Sequence, residues 1–230
     1  MNNISRKIND LLDNGVKARR QGEFERARDL LQEALAESRR IKDRLGEAYA
    51  LLELSAVIVV FDKDFTTGHK MLTDSLKVFT EIRSPRGRAY AMNNLGSLEL
   101  DQQNYDVAIN WFNDALRIFE AEHDKYGIAM TLHQMGKVDK ERGDMESAER
   151  RWRQSLLLLE GLGNKYGAAQ TMLSLAGLNV AKDELEQANA LLNRALMIFK
   201  DLGNTQEVDR IRKYLAQLDN AMESRRTEST

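Results

Sequence analysis

The sequence contains no cysteine and only one proline among its 230 residues. Without cysteine the chain forms no disulfide bond, offers no thiolate nucleophile and has no cysteine-based zinc site. None of its three histidines forms a recognisable constellation with another histidine or a carboxylate at the spacing of metal ligands. The scarcity of proline, together with 30% charged residues, suits a helix-rich chain with surface ion pairs. We therefore expect no metal and no cofactor.

The chain also lacks a strong net charge and long apolar segments. Its formal net charge is -2, which gives no reason to expect a nucleic acid or a membrane surface as partner. The longest wholly apolar run, Ala56 to Phe61, is far too short to span a bilayer. The polar start of the chain has no apolar core of the kind found in signal peptides. A cytoplasmic protein is the resulting expectation.

No group of residues forms a recognisable catalytic or phosphate-binding motif. Gly161, Leu162 and Gly163 resemble a phosphate loop, but neither a preceding strand nor a following Lys-Ser/Thr pair accompanies them. The carboxylates lie mainly at solvent-facing helix and turn positions, where solvation and ion pairing explain them. Because no nucleophile, base and orienting group can be assembled, we predict that the chain is not an enzyme.

A pattern that recurs about every 40 residues accounts for most of the chain. It consists of two amphipathic helices joined by a short polar turn, and it is clearest over residues 84–120. The apolar and small residues recur at spacings of three and four, which is the period of a helix. Five copies agree at six columns, which are Leu11, Leu51, Met92, Leu132, Met172; Gly15, Ser55, Gly96, Gly136, Ala176; Ala27, Gly68, Ala108, Ala148, Ala188; Leu31, Leu72, Phe112, Trp152, Leu192; Ala34, Ser75, Ala115, Ser155, Ala195; and Leu35, Leu76, Leu116, Leu156, Leu196.

These columns alternate small and large residues for a mechanical reason. Small residues let helix backbones approach where they cross, and large residues fill the space between them. A single helix pair cannot bury its apolar face, so neighbouring pairs must stack. The pattern resembles the tetratricopeptide repeat (TPR) in its long variety, found in polarity adaptors and bacterial peptide-sensing and signalling regulators. The resemblance implies an all-α fold: a right-handed α-solenoid of five helix pairs plus a C-terminal capping helix.

Residues that favour helix N-caps mark the repeat boundaries. They are Asp43, Ser84, Asp124, Asn164 and Asn204. We predict repeats at 4–41, 44–82, 85–121, 125–160 and 165–201, a capping helix at 205–222 and a disordered tail at 223–230, with residues 1–222 forming a single domain. Repeat two has one extra residue, predicted to lie between its two helices, because Leu54 and Phe65 are eleven residues apart where Leu95 and Tyr105 are ten apart.

The same resemblance implies a function. It indicates a non-enzymatic protein–protein interaction module, an adaptor or scaffold, that binds a peptide or partner helix in a concave groove lined by the first helix of each repeat. Two alternatives remain open, namely a peptide-sensing regulatory protein and a self-assembling oligomeric scaffold. The family's groove columns correspond here to Tyr90, Asn93, Asn94, Ser97, His133, Gln134, Lys137, Lys140, Gln170, Val59 and Val60.

The groove residues differ in chemistry along the chain. Amides at repeats three and four can both donate to and accept from a peptide backbone, and we expect Asn93 to point into the groove more directly than Asn94. Lys137 and Lys140 favour an acidic group on the ligand. Apolar Val59 and Val60, with Phe61 aligned to polar residues of later repeats, predict a covered surface. Phe61 is thus a candidate for contact with a ligand or with a second copy of the chain.

Overall fold

The computed structural model of the chain describes the backbone of residues 3–228 and the side chains of residues 5–223. Within this range the regular structure is entirely helical. The helices are α1 Asn3–Gln21, α2 Phe24–Arg40, α3 Arg44–Val57 with a π-helical turn at Ile58–Asp62, α4 Phe65–Glu81, α5 Pro85–Asp101, α6 Tyr105–Ala121, α7 Lys125–Glu141, α8 Met145–Gly161, α9 Lys165–Ala181, α10 Leu185–Asp201 and α11 Thr205–Glu228.

The helices pack in the order in which they follow one another. We call the odd-numbered helices the first helices and the even-numbered ones the second helices. First helices α1, α3, α5 and α9 pack against the second helix that follows, and second helices α2, α4, α8 and α10 pack against the next first helix. This arrangement confirms the predicted all-α solenoid of helix pairs. By compactness the chain divides into two units, Met1–Gln134 and Met135–Thr230, so the single continuous domain stays a prediction.

The predicted caps are the most local feature of the fold, and all five are present. Each side chain accepts a hydrogen bond from the backbone N–H of the third residue after it, which satisfies a donor that the helix leaves unpaired. The pairs are Asp43 with Gly46, Ser84 with Gly87, Asp124 with Gly127, Asn164 with Gly167, and Asn204 with Glu207.

In four of these five pairs the residue that donates to the cap is glycine. In two of the four, an aromatic side chain of the preceding second helix packs against the glycine. A Cβ atom at Gly87 would lie 2.2 Å from Cδ1 of Phe79, and one at Gly127 would lie 2.2 Å from Cδ1 of Phe119. Both phenylalanines are fully buried. The cap and the core contact therefore use the same turn of the first helix.

The extra residue of repeat two lies inside α3 rather than between the helices, which corrects the prediction. It is absorbed by the π-helical turn Ile58–Asp62, and the helix then ends as the others do, with Lys63 at φ 58° where Gln103 has φ 64°. The backbone N–H of Asp64 reaches the carbonyl oxygen of Ile58. A wider turn keeps the backbone hydrogen-bonded, whereas a looped-out residue would not.

The π-helical turn directs Val59 into the core. Val59 is 8% exposed, so its assignment to a ligand groove is wrong. A Cβ atom at Gly68 would lie 2.3 Å from Cγ2 of Val59. Gly68 occupies a column that is alanine in every other repeat, and the space of that missing methyl group is taken by Val59.

The last helix has the two faces expected of a capping helix. Val208, Ile211 and Leu218 are buried, and the opposite, polar side is exposed, with Arg210, Arg212, Lys213 and Gln217. The helix continues to Glu228, so the predicted disordered tail is wrong for residues 223–228. This segment contains neither glycine nor proline, and its glutamate and arginine residues are good helix formers. Residues 229–230 lie outside the described residues.

Candidate functional site

The predicted groove residues all lie on first helices or on the π-helical turn, but their exposure differs. Val60, Lys137, Lys140 and Gln170 are exposed, Tyr90, Asn94, Ser97, His133 and Gln134 are half-buried, and Val59 and Asn93 are buried. A ligand can reach the first two groups only. As binding residues these nine remain predictions.

Asn93 holds two first helices together and does not face solvent. Its side chain is 1% exposed, and its Oδ1 accepts a hydrogen bond of 2.9 Å from the hydroxyl of Thr131 on α7. The expectation that Asn93 points into a groove is therefore wrong. One residue of helix rotation, about 100°, separates the two asparagines, and the half-buried Asn94 has the more outward position.

A second amide is engaged in the same way. The side chain of Gln134 donates a hydrogen bond to Oγ of Ser97, which in turn donates to the carbonyl oxygen of Asn93 at 3.1 Å. Together with the Asn93–Thr131 bond, this contact links α5 to α7. Part of the amide-rich surface that the sequence suggested for ligand binding thus stabilises the first unit itself.

Asp124 anchors the start of α7 to α5 through a network that sequence reasoning missed. Its Oδ1 caps the helix at the N–H of Gly127, while its Oδ2 accepts from the Tyr90 hydroxyl at 2.8 Å and from Nε of Arg86 at 2.5 Å. The ring of Tyr90 also meets Phe119 edge-on, at 4.9 Å between centroids. The cap signal at Asp124 was visible in the sequence, but its two partners lie a full repeat away.

This network and its burial shift the pKa values of its two acidic groups, Asp124 and Tyr90. Burial alone would raise the pKa of Asp124, but the hydrogen bonds from Gly127, Tyr90 and Arg86 outweigh it and hold the pKa below its usual range. Burial raises the pKa of Tyr90 well above its ordinary value. At neutral pH the carboxylate is therefore charged and the phenol is protonated, as the observed hydrogen bonds require.

We predict that Asp124→Asn lowers the free energy of unfolding at pH 7 by about 1 kcal/mol, because two hydrogen bonds to a charged oxygen become bonds to an amide. The cap should survive, since Asn164 caps α9 in the same manner. A depressed pKa gives stability that is present above the unfolded value, about 3.9, and is lost as the pH falls through the folded value. Urea unfolding of both proteins from pH 7 into acid should show the difference disappear, and equal stability at pH 7 would contradict the network.

Phe61 packs on the chain itself. Its ring stacks on Phe24 of α2 at 5.7 Å, and the guanidinium of Arg28 lies 5.8 Å from the ring centroid while also pairing with Asp62 at 3.1 Å. Because of the π-helical turn, Asp62 rather than Phe61 precedes the left-handed residue and matches Gln102, which corrects the earlier alignment. Phe61 remains 41% exposed, and self-association through it stays a prediction.

The second unit presents first-helix residues of a different character, which we call the basic face. They are Lys137, Lys140, Gln170, Ser174, Gly177, Arg210, Lys213 and Tyr214. None of them is acidic, and all are exposed except the half-buried Ser174. Lys140 has an ion pair of 3.4 Å with the adjacent Glu141, and Gln170 donates to the Tyr166 hydroxyl at 3.1 Å. These contacts, like the 2.7 Å ion pair of Arg210 with Glu207, lie at the surface and are therefore weak, so ligand groups can compete for these side chains.

Gly177 in the basic face differs from the packing glycines. A Cβ atom at Gly136 would lie 2.6 Å from Nε1 of Trp152, whereas one at Gly177 would have nothing within 4 Å. A glycine inside a helix costs about 1 kcal/mol relative to alanine. The close packing that offsets this cost at Gly136 is missing at Gly177, where the helix surface is open.

Two kinds of site are missing from the described residues. Among the described side chains, those of residues 5–223, no group of histidine, aspartate and glutamate could hold a metal ion. None of the helices across residues 3–228 is both long enough and apolar enough to cross a membrane.

Comparison with known proteins gives one family match and several structural ones. The family model described as the MalT-like TPR region matches residues 16–226. A solved Rap protein in complex with competence and sporulation factor has a TM-score of 0.77 at 17% identity, over 96% of this chain and 65% of that chain. No curated protein sequence matches the chain.

Two further solved structures show the same architecture. Aspartyl phosphate phosphatase F from Bacillus subtilis has a TM-score of 0.66 at 13% identity, over 95% of this chain and 60% of that chain. A thermophilic TPR protein of Thermus thermophilus has a TM-score of 0.62 at 20% identity, over 92% of this chain and 98% of that chain. At these identities the likeness establishes the fold alone. The chain spans less than two thirds of the Rap protein and of the phosphatase.

Proposed function

The chain belongs to the family of MalT-like TPR regions, and on this premise we propose that it is a non-catalytic protein-interaction module. Its ligand is an extended, acidic segment of a protein or peptide, bound along the basic face of the second unit. The observation that carries this proposal is the composition of that face: four of its eight residues are lysine or arginine and none is acidic, and the carboxylates of Glu141 and Glu207 that pair with Lys140 and Arg210 do so at the surface.

The first unit supports this choice by contrast. On its first helices, the half-buried Arg19 and Glu53 form an ion pair of 2.9 Å, and Arg86 pairs with the buried Asp124. Its amides at Asn93 and Gln134 link α5 to α7. The lysine and arginine side chains of the basic face are exposed, and the ion pairs of Lys140 with Glu141 and of Arg210 with Glu207 lie at the surface, so a ligand carboxylate can compete for these side chains.

We predict that Lys137→Ala and Lys140→Ala each weaken binding of an acidic peptide by about two- to fivefold at low salt, and by less at high salt, because exposed charges are screened. The probes are peptides selected against the wild-type chain from a random library, and calorimetry measures their affinity at both salt concentrations. Folding should be unaffected, since both side chains are exposed.

The control variant is Lys200→Ala, which removes an exposed lysine from the second helix α10. It changes the net charge of the second unit by the same amount, so it should leave peptide affinity nearly unchanged. Equal losses of peptide affinity in all three variants would mean that the net charge of the second unit, rather than the basic face, determines binding. A library that returns no acidic peptides would contradict the proposal directly.

A second candidate function is peptide-dependent regulation. It is favoured by the match to a Rap protein that was solved with competence and sporulation factor bound. A regulator must change a second surface when its peptide binds, and the present chain spans 65% of that protein. The two candidates share the ligand class, and they differ in whether the bound peptide alters the binding of another macromolecule.

A further inference from the structure

The fourth repeat contains a buried carboxylate that has no function in the arrangement described above. Asp139 on α7 is 8% exposed, and its Oδ2 is buried without a hydrogen-bond partner. Nε of Arg151 on α8 lies 3.2 Å from this oxygen but makes no hydrogen bond to it, and Nη1 of Arg151 is also buried without a partner. A close but poorly oriented pair recovers only part of the cost of removing both charges from water.

At the positions equivalent to Asp139, repeats one, three and five do not bury a charged group. Ala18 and Asn179 are neutral and buried there, at 2% and 3% exposure. Glu99 is half-buried and accepts a hydrogen bond of 2.8 Å from the side-chain amide of Asn104. In repeat four the residue that corresponds to Asn104 is Asp144, which offers Asp139 no donor and adds a second negative charge.

The charges around Asp139 come from α8 and from the turn that precedes it. Burial is the largest influence and raises the pKa of Asp139. Arg151 lowers it, Asp144 raises it, and Arg142 and Arg150 lower it by less, so the pKa stays above its ordinary value. A carboxyl group in this position is destabilised mainly in its charged form.

We propose that Asp139 is a proton-binding site which stabilises the fourth helix pair as the solution becomes mildly acidic. A proton from solvent neutralises the carboxylate and removes the cost of a buried charge whose Oδ2 has no hydrogen bond. Because the group binds its proton more tightly in the folded chain, stability rises as the pH falls from neutral through the folded pKa. Below the unfolded pKa, about 3.9, both states are protonated and the gain is complete.

The test compares Asp139→Asn with the wild-type chain by thermal unfolding between about pH 7.5 and pH 4. Asparagine reproduces the residue that repeat five already has at this position, Asn179. We expect the variant to melt about 2–4 °C higher than the wild type at pH 7.5, with the difference shrinking toward acid. The control is Glu99→Gln at the same position of repeat three, which should show no such gain.

A second measurement separates the carboxyl group from the packing of the variant. Carbon NMR titration of the Asp139 carboxyl in the wild-type chain, assigned by its absence in Asp139→Asn, should give a midpoint above about 3.9. A midpoint at or below that value overturns the proposal, whatever the stability of the variant. A wild-type chain that is more stable than Asp139→Asn at every pH would likewise overturn it, because the pair with Arg151 would then stabilise the fold.

Discussion

Gly68→Ala is expected to destabilise the chain by about 1–3 kcal/mol, although alanine occupies this column in all four other repeats. The added methyl group would lie 2.3 Å from Cγ2 of Val59, which the π-helical turn holds against α4. On an exposed helix surface, replacing glycine by alanine stabilises a protein by up to about 1 kcal/mol. A destabilising effect at Gly68 would therefore indicate that the π-helical turn places Val59 in this space. Urea unfolding followed by circular dichroism measures it.

Two further variants make the cause specific. Gly177→Ala, in the middle of α9 with nothing within 4 Å, should stabilise the chain and so give the opposite sign. Deleting Val60 restores the spacing found in the other repeats, and in that background Gly68→Ala should no longer destabilise. A stabilising Gly68→Ala in the wild-type chain would mean that Val59 does not occupy the space beside α4.

Asn93→Ala is the second change with a large expected effect, a loss of about 1–3 kcal/mol in the free energy of unfolding. It removes a buried side chain and the acceptor of the hydrogen bond from Thr131, leaving that hydroxyl with the Gly127 carbonyl oxygen, also at 2.9 Å. Asn94→Ala, in the neighbouring half-buried position, should change stability little. Thermal unfolding of the two variants gives the comparison.

The two asparagines also distinguish a structural role from a binding role. If Asn93→Ala left stability unchanged while Asn94→Ala lowered it, Asn93 would face the groove, as the family columns imply. The observed packing of Asn93 between α5 and α7 would then be wrong. In the expected case, any loss of ligand affinity in Asn93→Ala follows from loosening of the helix contact rather than from a lost contact with the ligand.

Features that depend on neighbours along the chain could be predicted from the sequence. The caps at Asp43, Ser84, Asp124, Asn164 and Asn204 require only one polar side chain and an N–H group in the same helical turn. The helix pairs follow from apolar residues with a helical period, repeated often enough to fix the register. Both signals are local, so they do not depend on how the repeats pack.

Features that depend on a partner helix could not be predicted in the same way. The extra residue of repeat two fits either a longer connection or a wider helical turn, and only packing of Val59 against α4 decides between them. Adjacent Asn93 and Asn94 lie at the edge of a helix face, and the position of Thr131 on α7 determines which one is buried. Asp139 has the same difficulty, because solvent-facing carboxylates are the rule in this sequence and its burial arises from α8.

The central claim, binding along the basic face, is tested most directly by side-chain oxidation with hydroxyl radicals. The chain would be footprinted alone and with an acidic peptide selected from a random library. Tyr214 of the basic face is 53% exposed, and Leu157 and Met197 on second helices α8 and α10 are 72% and 69% exposed. We expect the peptide to protect Tyr214 and to leave Leu157 and Met197 unchanged. Protection of Leu157 and Met197 with Tyr214 unaffected would contradict the account and place the ligand on the second helices.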